Sequence, residues 1–334
     1  FHLWRYEGLK MTTGTSPRLF TGSSFYGFDK SCKCRYLLYR ITDKIAILFP
    51  GFQRKQFLNK IGIIRSQKPL CTEWKMPELP EVETLCRQLV KTITGQTLLD
   101  ILVLDSKLPE ITELTGRRVS RVERRGKKIL LSFDDGQILA VHLRMTGRLL
   151  WQEEVKEIPQ YTRLILTFTA GRVFFIDPRR FLTIQKERDS SSYHGGVDPL
   201  QNLTPEYLAA RGRPRKGSVK SFLLDQSVIA GIGNIYACEI LHHAGIDPAR
   251  PACRITDAQW HRIALSTKEV LGRAVACRGT TVSDWRDFHG RKGSFQHELR
   301  VYRRAGLPCP RCGKIVARCL IAGRGTYFCP GCQV

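Results

Sequence analysis

The hydrophobic pattern changes period twice along the chain. From Glu81 to Thr92, apolar Val82, Leu85, Leu89 and Val90 recur at helical spacing and Gly95 follows as a stop, which predicts an α-helix. Short β-type runs come next: Leu98–Leu104, Val119–Glu123, Lys128–Phe133, Ile138–Leu143, Leu164–Thr169 and Val173–Ile176. Asp134-Asp135-Gly136 and Ala170-Gly171 separate them as hairpin turns, and strands of this length predict a β-sandwich or barrel-like domain. Asp189–Gly196 reads as a hinge, after which the period is helical again. Thr204-Pro205-Glu206 supplies an N-cap, a proline in the first turn and an acid behind it. The segment 216–226 predicts a helix, Gly231-Ile232-Gly233 a turn, and Asn234 the start of a second helix. Thr256–Ala276 is a third amphipathic helix, and polar, glycine-containing Gly279–Phe295 is expected to be an exposed, mobile loop. Together these predict a multidomain α+β protein: an upstream extension (1–75), a β-sandwich domain with a leading helix (76–190), a linker (191–203), a helical domain (204–300) and a terminal hairpin (301–334).

The junction at Met76-Pro77-Glu78-Leu79-Pro80-Glu81-Val82-Glu83 breaks both periods. Its prolines and carboxylates suit neither a strand nor a helix interior, but they suit a helix start. A methionine before proline is also a start from which the initiator is removed, leaving a secondary amine on Pro77. The expectation is that the working chain begins there. Residues 1–75 open on Phe1, are basic and acid-poor, and show no sustained period, so they are read as upstream sequence outside the mature protein.

Charge points to a polyanionic partner. Of 54 Lys and Arg, 14 precede Met76 with 4 of the 30 Asp and Glu, so the remainder keeps 40 against 26. Arg117, Arg118, Arg121, Arg124, Arg125, Lys127, Lys128, Arg179 and Arg180 cluster at strand ends, where charge also protects sheet edges. The loops His142–Gly147 and Asp177–Phe181 place large apolar or flat cationic side chains in turns, where they serve as wedges between stacked bases or as local packing. The glycines at 231 and 233 let backbone N–H groups approach a phosphate at a helix start. No apolar run reaches the roughly 18–20 residues of a membrane-spanning helix.

Of twelve cysteines, four form C-x2-C, sixteen residues, C-x2-C: Cys309, Cys312, Cys329 and Cys332. Two knuckles separated by a hairpin-length insert predict a structural, tetrahedral zinc ion. The insert tip, Gly323-Arg324-Gly325, offers a guanidinium on a tight turn, suited to bidentate contact with a phosphate.

In this order, the motifs at 77–83, 142–147, 177–181, 231–237 and the four-cysteine hairpin resemble bacterial formamidopyrimidine-DNA glycosylases over residues 76–334. The resemblance implies a β-sandwich, a helix–two-turn–helix domain and a zinc finger around a cleft for double-stranded DNA carrying an oxidised base. It implies a monomer in the bacterial cytoplasm, associated with the nucleoid, that excises 8-oxoguanine and formamidopyrimidines and then cleaves the strand. By the same resemblance Pro77 is the nucleophile, Glu78 the general acid, Lys127 a group for β-elimination and Arg324 one for δ-elimination. Met145, Arg179 and Phe181 fill the gap left by the flipped nucleotide. Lys216, Lys220 and Asn234 bind phosphate, Glu239 braces the helix–turn unit, and the 279–295 stretch caps the lesion. The chain departs from the family at Arg144 and Leu182, where glycine is usual. It departs again at Tyr161 and Arg163, where histidines are usual, so Tyr161 is an altered DNA-binding position. Two other readings stay open: a relative that excises oxidised pyrimidines, and a non-catalytic zinc-dependent DNA-binding protein if residues 1–75 remain attached.

Overall fold

In the computed structural model the chain divides after Thr72, and the second unit carries the fold set out below. The structure describes residues 76–154, 157–187, 195–282 and 284–334. The expectations for 1–75, and most of the 189–196 hinge, lie outside the described residues.

Helix α1 (Leu79–Ile93) opens the unit with Pro80 in its first turn. Its start is split between two cores. Leu79 packs among the helices that follow, whereas Val82, Leu85, Cys86, Leu89 and Ile93 belong to the sandwich core. Eight antiparallel strands make two four-stranded sheets. One has the order β1 (Leu98–Val103), β6 (Thr162–Phe168), β7 (Gly171–Ile176), β5 (Arg148–Gln152). The other runs β2 (Val119–Arg125), β3 (Lys128–Phe133), β4 (Ile138–His142), β8 (Thr183–Glu187). Leu164, Leu166, Val173 and Phe175 of the first sheet share one core with Ile129, Leu131, Leu139 and Val141 of the second, as alternation across a sandwich requires. Strands β5 and β8 are not among the sequence expectations. Each is a five-residue edge strand, and β8 (Thr-Ile-Gln-Lys-Glu) buries only Ile184, so its hydrophobic signal is weak.

The second half is helical: α2 (Pro205–Gly212), α3 (Val219–Leu224), α4 (Asn234–Ala244) and α5 (Asp257–Ala276). Thr204 caps α2 by accepting from the Tyr207 N–H, as its sequence indicates. Thr256 caps α5 in a capping box with Gln259. The hairpin β9 (Ala317–Ile321) and β10 (Arg324–Phe328) joins this core through Tyr327, Cys309 and Cys329. Glu239 of α4 ties the chain entering the hairpin, accepting N–H bonds from Arg300, Val301 and Tyr302 at 2.7–3.0 Å.

Arg124 clasps the two halves. Its buried guanidinium bonds Glu83 of α1 at 2.7 Å, Asp198 beyond the hinge at 2.5 Å, and the Gly126 carbonyl at 3.2 Å. Removing one member of a buried charge cluster strands its partners. Arg124→Met is therefore expected to lower unfolding stability by about 3–5 kcal/mol. Urea denaturation measures this, and a loss under about 1 kcal/mol would show that the clasp is only a solvent-screened surface pair.

The candidate active site and its zinc finger

The start of α1 and the start of α4 are built into one another. The Leu79 N–H donates to the Gly231 carbonyl at 3.0 Å. Glu78 then reaches the head of α4, where its carboxylate oxygens accept the Ile235 and Tyr236 N–H groups at 2.9 and 3.3 Å. These are orphan donors of a helix N-terminus, and a carboxylate there is favoured by the helix dipole. The residue capping α4 is Gly233, and a Cβ on it would lie 2.2 Å from the Glu78 carboxyl carbon. The Ile235 and Tyr236 N–H groups at this helix start are thus taken by Glu78 and the Gly231 N–H by Gln226 Oε1 at 2.9 Å, and Gly233 is needed to let the Glu78 carboxylate in.

Glu81, one turn further along α1, is also buried. It accepts the Glu78 N–H at 2.9 Å, the Tyr236 hydroxyl at 2.6 Å and the Thr280 N–H at 2.7 Å. Burial first, then the neighbouring Glu78 charge, raises its pKa from 4.5 to about 7, against the lowering pull of those hydrogen bonds. The native state thus keeps a proton that the unfolded chain releases near 4.5. This contribution to stability is complete below pH 4.5 and is lost as pH rises through about 7. In urea titrations at pH 5 and pH 8, Glu81→Gln is expected to lose less stability than wild type across that interval. Parallel losses would exclude Glu81 as the titrating group.

Pro77 and Glu81 line a cavity of about 310 Å³ together with Met145, Tyr161, Thr280 and Trp285. The 279–295 stretch that forms part of its wall is only partly the exposed loop expected from sequence. Thr280, Asp287, Phe288 and Phe295 are buried, the Phe288 carbonyl accepts the Trp151 N–H at 2.8 Å, and Asp287 accepts Gln88 Nε2 at 2.9 Å. Thr280 and Asp287 face a fixed network in the protein, which composition alone does not distinguish from solvent, while Asp284, His289, Arg291, Lys292 and Ser294 are exposed. Trp285 was not singled out by sequence reasoning, although a tryptophan in a polar, glycine-containing stretch was the available signal.

Lys127 lies in the β2–β3 turn and donates Nζ to the Ile232 carbonyl at 3.2 Å. Burial lowers its pKa below the usual lysine value; Arg324 lowers it further, while Glu78 and Glu81 pull it up. Lys127 and Arg324 are thus brought to the same turn that receives Glu78. The tip of the hairpin is fixed there by Asn234, whose Nδ2 donates to the Gly325 carbonyl at 2.9 Å. Lys220 completes the joint with bonds to Asn234 Oδ1 at 2.6 Å and Thr326 Oγ1 at 2.7 Å. Lys220 is buried, and in this structure its ammonium group serves as an internal strut between α4 and the hairpin. Lys216 is exposed and Asn234 half-buried.

Phe181 is 41% exposed, with the Arg179 guanidinium 4.6 Å from its ring centre. Arg144, Tyr161 and Arg180 hold left-handed backbone, with φ of 55°, 64° and 57°. That conformation explains why glycine suits position 144, and here the Arg144 N–H is held by His142 Nδ1 at 2.9 Å.

The thiol sulfurs of Cys309, Cys312, Cys329 and Cys332 lie within 4.8 Å of one another, with Cys309–Cys332 at 3.8 Å and Cys312–Cys329 at 3.4 Å. A tetrahedron with metal–sulfur bonds of about 2.3 Å requires sulfur separations near 3.8 Å, so the four thiols fit one structural zinc ion. His242 Nε2 stands 3.3 Å from Cys309 Sγ, within reach to support that ligand.

A helix capped from 157 residues away by a carboxylate beside a cavity, with a zinc finger fixed to the same helix, matches in its sequence the domains of a DNA glycosylase. Three family models match in order: the formamidopyrimidine-DNA glycosylase N-terminal domain over 76–184, its H2TH domain over 196–285, and the zinc finger found in FPG and IleRS over 306–334. The formamidopyrimidine-DNA glycosylase of Desulforamulus reducens is 40% identical over 277 residues, covering 77% of this chain and 99% of that protein. That of Chloroflexus aggregans is 40% identical over 273 residues, covering 78% and 99%. Among solved structures, the MutM (Fpg) protein of Thermus thermophilus matches with a TM-score of 0.69 and 39% identity, over 77% of this chain and 98% of that one. Lactococcus lactis Fpg in complex with abasic-site DNA matches at 0.71 and 30%, over 77% and 99%. The chain belongs to the formamidopyrimidine-DNA glycosylase family. Among the described residues, no helix is long and apolar enough to cross a membrane.

Proposed function

We propose that this protein excises oxidised purines, 8-oxoguanine and formamidopyrimidines, from duplex DNA and then cleaves the strand at the abasic site. The observation that carries this reading is the position of Pro77, lining the 310 Å³ cavity next to the buried Glu78–Glu81 helix start. A base inside a duplex must be everted to be reached, and the cavity is the place for it. An α-amine has a pKa of about 8 and is partly neutral at physiological pH, whereas a lysine near 10.4 is not. Once Pro77 is a chain terminus, its nitrogen attacks C1′, the glycosidic bond breaks, and the base leaves with that electron pair and takes up a proton. Glu78 assists as acid at the opening sugar ring. The resulting iminium acidifies the C2′ proton. Its removal expels the 3′ phosphate, and a second elimination expels the 5′ phosphate. Lys127, with its lowered pKa, serves the first elimination and Arg324 the second. Met145, Arg179 and Phe181 occupy the space left in the stack, and Tyr161, Lys216 and Asn234 contact the DNA backbone. Solved relatives held a Fapy-dG DNA and a carbocyclic 8-oxo-G DNA, which supports the purine reading over oxidised pyrimidines. The test compares excision from duplexes carrying 8-oxoguanine and thymine glycol by protein that begins at Pro77. Faster release of 8-oxoguanine is expected, and a preference for thymine glycol would overturn the assignment.

A further inference from the structure

Directly after β7, Asp177 is fully buried and receives both loops that carry the wedge residues. Its Oδ1 accepts the Thr146 hydroxyl at 2.5 Å and the Arg179 N–H at 3.1 Å. Its Oδ2 accepts the Phe181 N–H at 2.7 Å and the Leu182 N–H at 2.6 Å. The backbone of the same residue is fixed as well: its N–H donates to the Tyr161 carbonyl at 2.9 Å, and its carbonyl accepts Arg163 Nε at 2.7 Å. Arg163 stands where the family usually has histidine. Its guanidinium also lies 3.8 Å from Asp105, which in turn binds Arg180 through Nε at 2.8 Å and through a second, shorter contact.

We propose that Asp177 is a positioning residue that holds Met145, Arg179 and Phe181 as one rigid wedge, so that the gap left by an everted nucleotide is filled by all three together. The proposal rests on the reading that these side chains enter the duplex. Its physical basis is preorganisation: a wedge assembled before contact loses little conformational freedom on insertion, whereas loose loops must be ordered while the base stack is being opened. Both carboxylate oxygens are needed, because each accepts from two donors. An asparagine would keep one oxygen and turn an NH₂ group toward the donors at the other, releasing part of the assembly.

The test uses protein beginning at Pro77 and single-turnover kinetics on two duplexes, one with 8-oxoguanine paired to cytosine and one with a preformed abasic site. Asp177→Asn is expected to slow 8-oxoguanine excision by about 100-fold, the cost of a misplaced supporting group. Incision of the abasic duplex should fall far less, because no base has to be extruded. Thr146→Val severs a link between the two loops and leaves Oδ2 untouched; it should shift the same ratio in the same direction, and it carries the test if Asp177→Asn does not fold. Equal losses on the two substrates, or wild-type ratios in both variants, would overturn the proposal. Absence of excision by the unsubstituted protein would instead overturn the proposed function.

Discussion

Protein that starts at Pro77 is expected to be trapped covalently on an 8-oxoguanine duplex by sodium borohydride, while protein that retains Met76 gives no adduct. The difference is all or none because acylation turns the proline nitrogen into an amide with no basic lone pair, in a cavity with no lysine among its described lining residues. Glu78→Gln in the trimmed protein should still bind DNA but excise the base about 10²–10⁴-fold more slowly, the range expected for loss of a positioned acid. Gel analysis of the reduced adduct reads both effects. Trapping through another residue in Pro77→Gly protein, at the wild-type rate, would remove Pro77 from the mechanism.

Removal of zinc has the next largest expected effect. Structural zinc contributes about 10–16 kcal/mol in isolated fingers, and the hairpin here has little else of its own, with Leu307, Ile315 and Leu320 largely exposed. Stripping the metal should release the β9–β10 hairpin, free Asn234 and Lys220 from Gly325 and Thr326, and withdraw Arg324 from the turn. Incision is expected to be lost on chelation and recovered on adding zinc, while the sandwich, which shares no core cluster with the finger, keeps its thermal transition. Full incision by protein shown to be zinc-free would contradict this.

The sequence made the two periodic regions legible because their signals are local. The strand from Lys128 to Phe133 follows from a short apolar run, and the helix from Asn234 from a glycine turn. The cysteine spacing likewise encodes its own geometry. What stayed hidden depends on residues far apart. Gly233 has the same local signature whether it admits a phosphate or Glu78, and only the fold brings Glu78 to it. Lys220 lies in a basic, polar stretch that suggests a surface, yet α4 and β10 close around its ammonium group. Asp177 begins a turn motif that announces its backbone shape, but its bond to Thr146 spans 31 residues and has no local trace.

The pairing of Glu78 with Ile235 and Tyr236, and of Glu81 with Thr280, also sets an order of assembly during synthesis. The partners are 157, 158 and 199 residues apart, so Glu78 waits for the head of α4, and Glu81 for Thr280 beyond α5, to leave the ribosome. A sandwich that folds as it emerges, as early domains do, carries the proposed nucleophile but cannot fix the helix start beside it. Chains that stop short of Thr280 therefore lack the partners that fix this helix start, and the activity proposed above is expected only from chains that extend beyond it.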